Sequence, residues 1–152
     1  MKKEAKNEAE NKAMKTVPGR KIVVVNQAVN YLTIGFCNAF RERFEEVEVI
    51  TGSVHVQGEE LDPRVRWTRI VHWVERPAWR KMVSYLWACA QIWVLLLTRY
   101  RRYEVVFVSI PPMAYLLTLV VPNRFSMIIW DVYPDMFKIT GMKEENPVFR
   151  VW

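Results

Sequence analysis

The sequence predicts an α/β fold with a mostly parallel sheet. Three observations carry that expectation. Short apolar runs rich in β-branched residues recur along the chain: KIVVVN (21–26), VEVITG (47–52) and EVVFVS (104–109). Unbroken runs of this kind suit strands covered on both faces. Helical spacing of apolar residues fills the gaps between them, so strands and helices alternate. The first ordered stretch reads strand, helix, strand, the unit that builds parallel pairing.

The elements follow in order. Residues 1–20 are rich in Lys, Glu, Ala and Asn with little to bury. They read as a charged tail, disordered or fraying, that ends at Pro18-Gly19. The ordered domain is expected over 21–152. After the first strand, QAVN reads as a polar loop. YLTIGFCNAFRERFEE then places Leu32, Phe36, Ala39, Phe40 and Phe44 at helical spacing, with charges gathered at its C-terminal end. VEVITG is the second strand. A polar loop, SVHVQGEELDPR, leads to VRWTRIVHW, whose imperfect alternation suits an edge strand. Residues 76–102 are the longest helix candidate. EVVFVS is another buried strand, broken by Pro111 and Pro112, which are tolerated in the first turn of a helix over PMAYLLTLVV. SMIIWD, residues 126–131, is the last strand.

At 152 residues the chain has room for one domain with a sizeable core. Its 51% hydrophobic and 25% charged residues are ordinary for a globular protein. A formal charge of +6 favours an anionic partner, whether nucleic acid, membrane surface or phosphorylated substrate, without choosing among them. Cys37 and Cys89 lie in apolar segments and show no metal spacing. They read as small buried hydrophobes in a reducing compartment. The charged N-terminus has no apolar core of a secretory signal, so a cytoplasmic location is expected.

Met82 to Thr98 carries no charge and is flanked by Arg76, Arg80 and Lys81 before it and Arg99, Arg101 and Arg102 after it. Seventeen residues is the bottom of the range for a membrane span. Lys81, Ser84, Ala88, Gln91, Leu95, Thr98 and Arg102 recur three and four apart and form one mostly polar stripe. The expectation is a helix with that stripe in water and its apolar side, most of its tryptophans included, in the core. Trp73, Trp79, Trp87 and Trp93 beside arginines keep a membrane-interface reading open. The same mixture suits single-stranded nucleic acid, but no nucleic-acid signature is present and no nucleic-acid partner is expected.

Ligands of open parallel sheets bind beyond the carboxyl ends of the strands. Those ends are Asn26-Gln27, Gly52-Ser53, Ser109 and Asp131. Asp131, where the run SMIIWD stops, is therefore the candidate catalytic carboxylate. Tyr133-Pro134 would shape the loop behind it and Asp135 would cap a short helix. The alternative for Asp131 is that it only caps that helix. Asn26, Gln27, Ser109 and Asp135 are the candidate substrate-binding residues of the rim. No GxGxxG or GxxxxGK[ST] follows the first strand, and neither HExxH nor GxSxG occurs. His55 and His72 lack ligand spacing and read as surface or packing residues. No metal site and no cofactor are expected.

The order KIVVVN, amphipathic helix, VEVITG, apolar helix, EVVFVSIPP and MIIWDVYPD resembles the N-terminal domain of family 4 glycosyltransferases of the GT-B fold. The resemblance covers residues 21 to 140, with SIPP and DVYPD its most specific parts. It implies a Rossmann-like three-layer sandwich that binds the acceptor, a glycan or lipid-linked sugar, at the cytoplasmic membrane face during polysaccharide biosynthesis. Asp131 matches the motif acid and would take or orient the acceptor hydroxyl's proton. Two positions depart from the family pattern: NQAVNYL stands in place of a glycine-rich loop, and Trp130 precedes the motif Asp where many members carry His or Arg. By the resemblance, the nucleotide-sugar donor needs a second domain or subunit, and the chain alone is expected to be inactive. The alternative is a stand-alone binding module at an anionic membrane surface, without catalysis.

Overall fold

The computed structural model describes residues 17–56, 58–74, 76–108 and 114–129. Five strands form one parallel sheet: β1 (Val17–Val25), β3 (Phe44–Thr51), β5 (Arg66–Arg69), β6 (Glu104–Val108) and β7 (Phe125–Ile128). Two-residue strands β2 (Ala28–Val29) and β4 (Ser53–Val54) make a second, parallel ladder. Helix α1 spans Tyr31–Phe40, α2 spans Ala78–Leu97, and a 3-10 helix covers Ala114–Val120. The order across the main sheet is β5-β3-β1-β6-β7, and all four pairings are parallel. The chain is thus a Rossmann-like α/β sandwich, as its alternation of strands and helices predicts.

The β-branched runs form strands because both faces of the sheet are covered. Along β1, Val23 and Val25 enter one cluster with Ile50, Phe107, Ala88, Ile92 and Leu96 of the α2 side. Ile22 and Val24 enter the other, with Val47, Val49, Val106, Ile34 and Cys37 of the α1 side. Successive residues therefore serve opposite layers, the period of two that a strand imposes.

Boundaries differ from expectation most at the start of β1 and at the junction of α1 with β3. β1 starts at Val17 rather than Lys21, with an irregularity between Val17 and Lys21 and a positive φ of 79° at Gly19, a conformation that glycine supplies readily. Helix α1 stops at Phe40, and Phe44 to Glu46, expected as its last turn, instead begin β3. Pairing explains the switch: Lys21 lies opposite Glu46 and the two side chains form an ion pair at 2.6 Å, while Phe44 is buried. The edge position of β5 agrees with its reading.

The orientation of α2 is a correction. Ser84, Ala88, Ile92 and Leu96, each four residues from the last, are buried against the sheet, and Tyr100 continues the line beyond the helix. The middle of the stripe expected to meet water, Ser84 and Ala88 with half-buried Gln91 and Leu95, therefore belongs to the packing surface, while its ends Lys81, Thr98 and Arg102 are exposed. Its small residues let the helix axis approach a sheet face already filled by Val23, Val25, Ile50 and Phe107. Its polar atoms are used internally: Ser84 Oγ donates to Lys81 O at 3.0 Å, and Gln91 Oε1 accepts from Val71 N at 2.9 Å. Trp79, Met82, Val83, Leu86, Trp87, Trp93 and Val94 are exposed. Among the described residues no helix is long and apolar enough to cross a membrane.

Candidate functional site

β1 is the point where the topology turns. The chain steps outward from β1 to β3 and β5, then crosses back to β6 and continues to β7. In such sheets the crevice beyond the carboxyl ends at this reversal is the default ligand site. Asn26 and Gln27 stand there, immediately after β1.

Hydrogen bonds extend the sheet past its strands and give the rim a fixed floor. Asn26 N donates to Ile50 O at 3.1 Å, Gly52 N to Gln27 O at 2.9 Å and Ile70 N to Thr51 O at 2.9 Å. The β2–β4 ladder continues the same pairing, closing with His55 N to Val29 O at 2.8 Å. QAVN, expected as a plain loop, thus contains a strand. Two residues carry no periodicity, so no sequence signal marked it. Thr51 Oγ1 caps the exit of β3 by donating to Ser53 O at 2.8 Å.

Asn26 is buried, and both ends of its amide are occupied. Nδ2 donates to Thr33 Oγ1 at 2.8 Å and Oδ1 accepts from Ala28 N at 3.1 Å. Thr33 in turn meets Asn30, whose Oδ1 accepts from Thr33 N at 3.1 Å and caps α1. Side-chain capping of this type satisfies donors that a helix N-terminus leaves unpaired. Asn26 therefore fixes the turn between β1 and α1.

Gln27 is buried too, and its amide is half used. Nε2 donates to Val71 O at 3.0 Å, while Oε1 has no hydrogen-bond partner among the described residues. A buried polar atom left unpaired costs on the order of 1–3 kcal/mol, so such atoms call for a reason. Gly52 adds a steric constraint beside it. A Cβ there would lie 2.5 Å from both His72 Cα and Val71 O. The loops after β1, β3 and β5 thus close tightly on one another, with Gln91 of α2 bonded to the same Val71.

Asp131, Ser109 and Asp135 lie outside the described residues. Of the five predicted site residues, then, Asn26 and Gln27 are seen together at the reversal point, and Val71 and Gln91 join them without any sequence motif to announce it. His55 and His72 are exposed. Cys37 is buried and its thiol is pushed up to about 12 by that burial, while Cys89 is half-buried and also raised by burial. Neither thiol is an activated nucleophile, since a reactive cysteine needs its pKa lowered.

A separate open groove of about 1050 Å³ runs beside α1, lined by residues that include Asn38, Arg41, Glu59 and Asp62 and by none of the predicted site residues. Several of its polar groups engage one another. Asn38 Nδ2 donates to Glu59 Oε1 at 2.8 Å, and hydrogen bonds from Arg64 hold the Asp62 carboxyl down to about 2. Among the described residues no group of three His, Cys, Asp or Glu side chains is placed to hold a metal ion. No protein-family model, curated protein or solved structure matches the chain.

Proposed function

We propose that this chain is the acceptor-side half of a glycosyltransferase like those of family 4. It would work at the inner face of the cell membrane on a glycan or lipid-linked acceptor in polysaccharide biosynthesis. The observation that carries the reading is the reversal of strand order at β1, with Gln27 buried beside it and one amide oxygen unpaired among the described residues. The order β5-β3-β1-β6-β7 also matches the first five strands of the doubly wound order 3-2-1-4-5-6.

In this reading Asp131, at the end of the last strand run, accepts the proton of an acceptor hydroxyl. The hydroxyl oxygen attacks the anomeric carbon of the donor sugar, and the bond from that carbon to the nucleoside diphosphate breaks. The diphosphate leaves with the electron pair. Contacts to the donor come from a second domain or subunit.

The test is purification of the tagged chain from gently solubilised membranes of its native cells. Recovery with a polypeptide that binds nucleotide sugars, and sugar transfer by the complex, is the expected result. Asp131→Asn in that complex then lowers kcat by about 100-fold or more, the scale of a lost general base. Recovery of the chain alone without transfer, or an Asp131→Asn complex of undiminished kcat, overturns the enzyme reading. The outward apolar side of α2 favours a second reading, a membrane-surface module without catalysis.

A further inference from the structure

Helix α2 buries Ser84, Ala88, Ile92 and Leu96 and turns a second set of bulky apolar residues outward. Trp79, Val83, Leu86, Trp87, Trp93 and Val94 are each between 42% and 63% exposed. At 100° per residue they fall within an arc of about 120° and run about 22 Å along the axis. Ser84, Ala88, Ile92 and Leu96 occupy the opposite arc. An outward patch of this size on a surface helix marks an interaction site.

We propose that α2 is a membrane-docking helix that lies in the plane of an anionic bilayer and sinks its outer apolar side among the acyl chains. Charge selects this occupant. Exposed Arg80 and Lys81 stand at the start of the helix, stacked over the rings of Trp79 (5.1 Å) and Trp73 (5.2 Å). Exposed Arg101 and Arg102 follow its end. The helix itself contains no carboxylate. Cations at both ends of an apolar stripe match acidic headgroups around an apolar interior, and tryptophan suits the boundary between them. A second copy of the chain is a poorer partner, because either sense of face-to-face helix pairing sets basic ends against basic ends. Single-stranded nucleic acid is poorer as well. It needs cations between stacking rings, whereas here the cations flank the patch and half of the patch is aliphatic.

This docking supplies the membrane contact of the proposed enzyme and needs neither donor nor catalysis, so sugar transfer and vesicle binding fail independently. The experiment is flotation of the full chain with vesicles of phosphatidylcholine alone or mixed with phosphatidylglycerol. Binding is expected to be about 10-fold or more tighter on the anionic vesicles, with a blue shift of tryptophan emission. Leu86→Glu with Trp87→Glu should weaken it about 10-fold or more while the far-ultraviolet circular dichroism is unchanged. Arg101→Glu with Arg102→Glu should remove about 10-fold of the anionic preference. Should the first pair fail to fold, quenching of wild-type tryptophan emission by brominated lipid reads the same insertion, and no quenching overturns the proposal. So does failure of the wild type to float, or flotation unchanged in the Leu86 and Trp87 variant. A dimer that this variant dissociates, in a chain that ignores vesicles, would make the patch a self-association surface. Oligonucleotide binding in place of vesicle binding would make it a nucleic-acid surface.

Discussion

Glu48 is a carboxylate buried in the middle of a strand. Its oxygens meet Arg66 at 2.9 Å, Arg99 at 2.9 Å and the Tyr100 hydroxyl at 2.6 Å. Tyr100 donates to Glu48, so Thr68, 2.6 Å from the same hydroxyl, donates to Tyr100. The two arginines are half exposed and can regain water if Glu48 is lost, but the buried tyrosine cannot. Glu48→Ala should therefore cost about 2 kcal/mol in urea unfolding, and Glu48→Gln less, because one acceptor remains. The same cluster predicts an alkaline limit. Burial, reinforced by the bond to Glu48, pushes the Tyr100 phenol from 10.0 up to about 12. A raised folded pKa stabilises the protein fully below the unfolded value and loses that contribution as pH climbs through the folded one. Stability should fall between pH 10 and 12, by on the order of 2 kcal/mol from Tyr100. Cys37, buried and raised likewise, adds to the fall. Tyr100→Phe should flatten the profile over that window in a pH series of thermal melts.

Elements differ in how plainly the sequence announced them. The central strands were legible because a strand covered on both faces has to be apolar at nearly every position. The direction in which α2 faces was not. Hydrophobic spacing reveals that a helix has two unlike sides, but a stripe of Ser84, Ala88 and Gln91 is equally the mark of close packing and of solvation. The neighbour decides, and here the neighbour is a sheet face crowded with valine, isoleucine and phenylalanine. Ala88→Leu should thus cost about 1–3 kcal/mol by overpacking. Leu86→Gln, about half a turn around on the outer side, should stay within about 0.5 kcal/mol. A larger loss for Leu86→Gln than for Ala88→Leu in thermal melts would mean that the helix is turned the other way. The end of α1 was missed for a related reason: Phe44 continues a helical pattern, and only its partner strand makes it the start of β3.

Across the whole molecule, two apolar clusters share one set of strands. Val23 and Val24 are neighbours in the chain yet belong to different clusters. Neither layer can be lost while the other keeps its packing surface intact. Unfolding should therefore be a single transition, with circular dichroism and tryptophan emission superimposable across a urea series; separated midpoints would contradict it. At this scale the candidate site was half legible. The rule that ligands sit past the carboxyl ends needs only the strand order, and it led to Asn26 and Gln27. The division of labour between them, one satisfied and one half-paired, depends on atoms thirty or more positions away as well as on local ones. Gln27 meets Val71, and Val71 meets Gln91, across loops whose composition shows no pattern.

That last chain of contacts makes Val71 a mechanical relay. The residue's carbonyl is held by Gln27 of the rim and its amide, in the preceding peptide unit, by Gln91 of the helix. A load applied to the helix from outside therefore reaches the crevice floor through two directional hydrogen bonds as well as through the packing of Ala88, Ile92 and Leu96 on the sheet. The Val71 amide proton becomes a built-in gauge of that load. Its exchange with deuterium should quicken in Gln91→Ala while the amides of β1 remain protected. A shift in its exchange rate when the chain meets a surface would register, inside the fold, an event taking place on the outside of it.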